Sequence, residues 1–246
     1  MATAVTPPRA TAPKRAPMDS LRKTAFWAGV FYLISFVSIP TLILYGPVKE
    51  AGYIAGSGPD TGVLFGGVLE LIVGLAGIGT AVVLYKVLKR QNQAAALGFV
   101  ASRTLEGTLL FAGVASILTV VALRQAGVGA DGLIIGQALV GLYDKTFLVS
   151  QSLIPAVNAL LLGSLLFKSR LVSRVLPVLG LVGEPLLLVG TIGTMFGAWE
   201  PASTPTLILV LPIATWEFSL GVYLIVKGFR PAGLARLDLA PPVAGA

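Results

Sequence analysis

Glu70, Arg103, Glu106, Glu184 and Glu217 are ionisable residues that interrupt otherwise apolar stretches of this chain. A charge at bilayer depth costs about 2.5–3.5 kcal/mol on insertion scales, so it faces a bundle interior and a partner. Arg103 and Glu106 stand three apart, which places them on one helix face where they can pair. At a rise of about 1.5 Å per residue, Glu106 and Glu217 each lie about 15 Å from the end of their stretch, near mid-depth. Glu70 lies nearer one face and Glu184 nearer the other. If the stretches form a bundle, four carboxylates cannot all be ionised around one arginine. A protonated carboxyl beside an ionised one is the chemistry of proton relay or proton-coupled binding. The alternative is structural: Arg103 locks spans three, six and two together through fixed ion pairs that specify assembly.

Other polar groups extend this candidate site. Gln151 and Asn158 are seven apart, on the same helix face as Pro155. They line a cavity or make plain interhelical hydrogen bonds. Pro40, Pro155, Pro185 and Pro212 each free a carbonyl one turn earlier, which can kink a helix. Gly62/Gly66 and Gly193/Gly197 form small-x-x-x-small patches suited to close packing. With Cys 0 and His 0 there is no thiolate nucleophile and no imidazole base. No metal and no cofactor is expected: GxxxxGK[ST], strand-borne GxGxxG and HExxH are all missing.

The elements that must position these residues are membrane spans. The chain is 55% hydrophobic and 12% charged, against about 25% charged in a soluble domain. A helix crossing the hydrocarbon needs about 20 apolar residues. Such stretches run near Thr24–Tyr45, Gly62–Tyr85, Ala95–Leu123, Phe147–Phe167, Leu176–Ala198 and Thr206–Val226. The fold class is therefore all-α, an integral membrane bundle of six transmembrane helices. Leu133–Tyr143 is apolar but short; it reads as an interfacial helix leading into span four, or as an extension of that span. Residues 1–20 read as a disordered basic tail, 21–230 as the transmembrane domain and 231–246 as a flexible tail. Span one is too long for the apolar core of a signal peptide. Tyr45, Tyr85, Phe99, Tyr143, Phe167, Trp199 and Phe229 fall near span ends, as an aromatic belt does.

Charge placement sets the orientation. Five Lys or Arg precede span one, and three each follow spans two, four and six. That puts fourteen on one side, against Lys49, Arg124 and Lys145 on the other. The positive-inside rule then places both termini in the cytoplasm. Because the basic residues follow topology, the net charge of +7 does not suggest nucleic acid. The expected partner is the lipid bilayer, with a small molecule or a proton as cargo; no oligomeric state is implied.

The halves echo each other. Ile39-Pro40 matches Ile154-Pro155, Glu70 with Ile78-Gly79-Thr80 matches Glu184 with Ile192-Gly193-Thr194, and Thr104-Leu105-Glu106 matches Thr215-Trp216-Glu217. Three spans per half would make these inverted repeats, as in many transporters. Chance is the competing explanation, since Gly, Ile and Thr are common in spans.

Arg22-Lys23-Thr24-Ala25, Leu84-Tyr85-x-Val87-Leu88-Lys89-Arg90-Gln91-Asn92, Ala101-Ser102-Arg103-x-Leu105-Glu106, Leu161-Leu162-Gly163 and the run from Trp216-Glu217 through Lys227-Gly228-Phe229 resemble a bacterial multipass family catalogued as domain of unknown function 4386. The resemblance spans about Leu21 to Arg230. It implies a bacterial inner-membrane protein and no established activity. Glu184 stands where the family pattern has a small residue. The leading expectation is a small carrier or proton-linked permease built on a buried Arg/Glu cluster. The alternative is a membrane scaffold or binding partner with a structural Arg–Glu lock. An intramembrane lipid-acting enzyme ranks below both, because such enzymes usually place His, Asp or Cys near an interface.

The charge count generates a direct test. A reporter that works only in the cytoplasm, fused after Ala246, should be active; activity from a periplasm-only reporter at that position would refute the orientation.

Overall fold

The computed structural model describes residues 19–200 and 203–238. Among them six helices are long and apolar enough to cross a membrane: Ser20–Leu44, Thr61–Leu88, Gln93–Gln125, Gly129–Ser169, Val175–Met195 and Thr204–Val226. They are spans one to six below. Their outward surfaces expose large apolar side chains such as Phe65, Leu75, Val82, Leu105 and Leu211, a distribution that lipid satisfies and water does not. The expected tail at the N-terminus, up to Pro17 and Met18, lies outside the described residues.

Local sequence explains the breaks. Asn92 ends the tight turn after span two, and its side-chain oxygen accepts the Ala95 N–H at 3.0 Å, an N-cap that starts span three. In span one a 3₁₀ turn, Ser35–Ser38, precedes Pro40, and the helix resumes as Thr41–Leu44. In span four a helix Leu133–Leu148 passes through a π-turn, Val149–Leu153, into Ile154–Ser169. Pro155 has no N–H for the carbonyl of Gln151, and the ladder slips to i→i+5 spacing there. Leu133–Tyr143 is thus not a separate interfacial helix. It continues span four and packs along span three, where Tyr143 lies against Gly113, and its Gly136 is buried against Ile54.

Each span packs on its neighbours in the chain, and span six closes on span one. The result is a ring in chain order, which corrects the inverted-repeat expectation. A two-fold axis in the membrane plane projects onto the ring as a reflection and reverses its order. Exchanging spans one and four, two and five, and three and six preserves that order, so no such axis makes the exchange. The echoed residues also differ in setting: Pro40 opens a four-residue helix, whereas Pro155 sits mid-span beside a π-turn.

Close contact closes the ring. Gly29 and Gly221 bring spans one and six together; a Cβ on Gly29 would lie 2.5 Å from the Gly221 carbonyl oxygen. Arg22 donates to the carbonyl oxygens of Leu224, at 3.0 Å, and Ile225, capping the end of span six with a cation. At the opposite end Asp60 accepts from Tyr53 Oη at 2.6 Å, Arg124 Nη1 at 2.7 Å and Gln125 Nε2 at 2.9 Å. These donors, Tyr53 foremost, hold its carboxyl below the usual carboxylate range and tie the loop before span two to the end of span three.

The C-terminal reading also changes. Pro231–Arg236 forms a short helix, and Leu234 and Leu237 join the same core as Leu171 and Val172; residues 239–246 lie outside the described range.

Gly29→Val should destabilise the bundle by about 1–3 kcal/mol, the usual cost of overpacking, because a carbonyl cannot rotate away as a side chain does. Gly141→Ala, in open space, should leave the detergent melting temperature unchanged or slightly raised.

Candidate functional site

A buried polar cluster sits at mid-depth and draws on four spans. Arg103 is 5% exposed. Its Nη1 donates to both oxygens of Glu106 at 3.1 Å, and its Nη2 to Glu217 Oε1 at 2.9 Å and to Tyr32 Oη at 3.3 Å. Asn158 Nδ2 donates to Glu106 Oε2 at 2.5 Å. Spans one, three, four and six thus supply Tyr32, Arg103 with Glu106, Asn158 and Glu217. The guanidinium also lies over the rings of Tyr32 and Phe99, 5.4 and 5.8 Å from their centroids, a favourable cation–π placement. Span two contributes backbone: a Cβ on Gly77 would sit 3.9 Å from Arg103 Cδ.

Why the chain folds this way is visible on span three. Ala96 and Phe99 belong to one apolar cluster and Ile117, Val120 and Val121 to another. Arg103 and Glu106 lie between them on the same inward face, one turn apart. Trp216, 1% exposed, fills the space beside Glu217 because Gly180 yields: a Cβ there would meet Trp216 Cδ2 at 2.5 Å.

The cluster retains unused hydrogen-bonding capacity. Arg103 Nε and Asn158 Oδ1 are buried with no hydrogen-bond partner among the described residues, as are Trp216 Nε1 beside Glu217 and, outside the cluster, Gln151 Nε2. The Glu217 side chain keeps 21% of its surface exposed. Two carboxylates share one guanidinium, so the cluster carries one excess negative charge unless a proton or a cation balances it.

Not every expected residue joins. Glu70 forms a second buried site, toward the Asp60 end, where it accepts from Tyr143 Oη at 2.7 Å and Tyr45 Oη at 3.3 Å. No Lys or Arg lies within ion-pair distance of it among the described residues. The two tyrosine rings meet edge-on at 5.2 Å, and Gly66 leaves room for the Tyr45 ring. Glu184 is buried on span five and has no hydrogen bond or ion pair among the described residues. The arrangement of four carboxylates around one arginine is therefore replaced by a pair at Arg103, a tyrosine-held Glu70 and a solitary Glu184.

Of the two amides, Asn158 enters the cluster and Gln151 lies in the π-turn two helical turns away. Tyr45, Tyr143, Phe99 and Phe229 were expected in an aromatic belt near the span ends; all four are buried, the tyrosines because their hydroxyls satisfy Glu70. Tyr32 escaped the sequence reading although a tyrosine at mid-span, away from either headgroup layer, signals an interior partner. Gly62 and Gly66 face Leu44 and Tyr45, and Gly193 faces Trp199, so these patches pack against the chain's own side chains.

Arg103→Ala should destabilise the bundle by about 3–5 kcal/mol, the cost of breaking a buried pair in soluble proteins. Glu106→Gln in the same background should recover part of that loss by removing an orphan charge. Detergent melting of the single and double variants checks this; strictly additive effects would show that the two residues are uncoupled.

No curated protein and no solved structure matches the chain. The family model described as "Domain of unknown function (DUF4386)" matches residues 27–228. That stretch contains every residue of the Arg103 cluster and of the Glu70 site. The chain therefore belongs to the DUF4386 family.

Proposed function

We propose that the protein is a small carrier, a proton-linked permease of the bacterial inner membrane with both termini in the cytoplasm, and that the Arg103 cluster is its central binding site. The observation that carries this reading is a buried guanidinium shared by two carboxylates, with Arg103 Nε and Asn158 Oδ1 still unsatisfied there and Gln151 Nε2 unsatisfied two helical turns along span four. A purely structural lock gains nothing from unpaired buried polar groups, each of which costs about 1–3 kcal/mol. A small polar cargo or water that bonds to them offsets that cost.

Span four supports a route as well as a site. Its inward residues include Tyr143, which binds Glu70, Gln151 in the π-turn, and Asn158, which binds Glu106. At about 1.5 Å per residue these lie about 10–12 Å apart, so one span carries polar groups from the Glu70 site to the Arg103 cluster. A π-turn at such a position is a common functional device and a point of bending. Pro185 and Pro212 add further weak points inside spans five and six.

The scaffold reading rests on a specific observation too: Arg103, Glu106, Glu217 and Asn158 are joined by hydrogen bonds of 3.1 Å or less. The two readings part on water access. Because the chain has Cys 0, a single introduced cysteine reports without background. Gln151→Cys should react with a small hydrophilic, membrane-impermeant thiol reagent added to oriented membranes, and it should do so from either side. Complete protection of this position from both sides would exclude the carrier and favour the lock.

A further inference from the structure

At the end of the molecule that holds Ser20 and Val226, four arginines converge where three spans meet. Arg170 and Arg174 come from the turn joining spans four and five, and Arg230 and Arg236 from the segment after span six. A cleft of about 340 Å³ is lined by Arg170, Ser173, Arg174, Val175, Arg230 and Ala232. None of the four arginines has a carboxylate within ion-pair distance among the described residues. The repulsion is felt: Arg174 foremost, with Arg236 and Arg230, pushes the Arg170 guanidinium below the usual arginine range.

The fold builds this cleft and holds it rigid. Arg170 ends span four in the left-handed region, at φ 57°, which turns the chain sharply under span five. The Arg230 N–H donates to the Leu171 carbonyl at 2.8 Å. The helix Pro231–Arg236 then docks with Gly233 against the Arg170 carbonyl, where a Cβ would come within 2.6 Å. Leu171 and Val172 are fully buried beneath. Arg174 is steadied over the Phe167 ring, 4.8 Å from its centroid. Like charges are thus held together by backbone packing, although their own interaction opposes it.

Position supplies the ligand chemistry. Val175 and Val226, both largely exposed, mark where the lipid-facing surface begins beside the cleft. A guanidinium cluster offers forked donors that match phosphate oxygens, and basic pockets between spans bind anionic headgroups. We infer that this cleft is a binding site for the phosphate group of an anionic phospholipid, with Arg174 and Arg230 as its principal donors and Arg170 and Arg236 supplying field. It lies apart from the Arg103 cluster and stands whether or not that cluster carries cargo.

The test uses the full chain in detergent. Affinity for phosphatidylglycerol, for phosphatidylcholine and for inorganic phosphate is measured for the wild type, for Arg174→Gln/Arg230→Gln, and for Lys89→Gln/Arg90→Gln, which removes equal charge from the turn between spans two and three at the same end. The expected result is preference for phosphatidylglycerol over phosphatidylcholine. The first double variant should weaken phosphatidylglycerol binding about 30-fold, since each basic residue near an anionic surface contributes about 1 kcal/mol. The second should leave it nearly unchanged, and all three proteins should melt alike because every substituted residue is exposed. Equal loss in both variants would mean diffuse surface charge and overturn the site. Equal affinity for phosphatidylcholine would overturn the headgroup assignment, and inorganic phosphate binding as tightly as the lipid would make this a site for a soluble anion.

Discussion

A guanidinium at mid-membrane must be solvated by the protein itself, because hydrocarbon offers it nothing. That constraint organises this molecule. Arg103 reaches Glu106 on its own helix, Glu217 on span six and Tyr32 on span one, and through Glu106 it engages Asn158 on span four. Helices that are distant in the ring are therefore joined through its interior by one side chain. Span two comes close only as backbone, at Gly77, and spans five and six interlock as Trp216 meets Gly180. Apolar packing in a bilayer is weakly directional, since lipid competes for the same surfaces. A charge network that tolerates few arrangements is what singles out one packing.

Glu70 meets the same problem by other means. With no cation in reach, its carboxylate is held by two phenolic hydroxyls, and the tyrosines that supply them come from the far end of span one and from span four. Two buried acidic sites of different chemistry thus stand at different depths of one ring. Span four passes both. Its π-turn follows from a single residue type at position 155, a proline that cannot close the ordinary ladder.

The ring order also bears on ancestry and mechanism. Ile-Pro, Ile-Gly-Thr and Thr-x-Glu recur at similar spacings, yet a ring in chain order has no in-plane axis that could exchange the halves. Glu106 and Glu217 do meet, but at a shared arginine that has no counterpart in the second half. Their convergence reflects charge neutralisation at one depth. The polar centre is therefore built within one ring of helices and not from two equivalent inverted halves.

Six membrane-spanning helices were legible in the sequence because the requirement for about 20 apolar residues acts locally and along the chain. The pairing of Arg103 with Glu106 was legible for the same reason, since helical periodicity alone sets one face. The tertiary structure alone decided which distant residues answer that pair. Depth can be counted from a span end, but which helix lies opposite depends on packing angles that small residues such as Gly29, Gly180 and Gly221 set through contacts far apart in sequence. That is why Glu217 and Asn158 joined the cluster while Glu70, equally apolar in its surroundings, went to Tyr45 and Tyr143. It is also why two tyrosines at span ends, where headgroups and a buried carboxylate attract a phenol equally well, read as a lipid belt until the fold placed Glu70 between them.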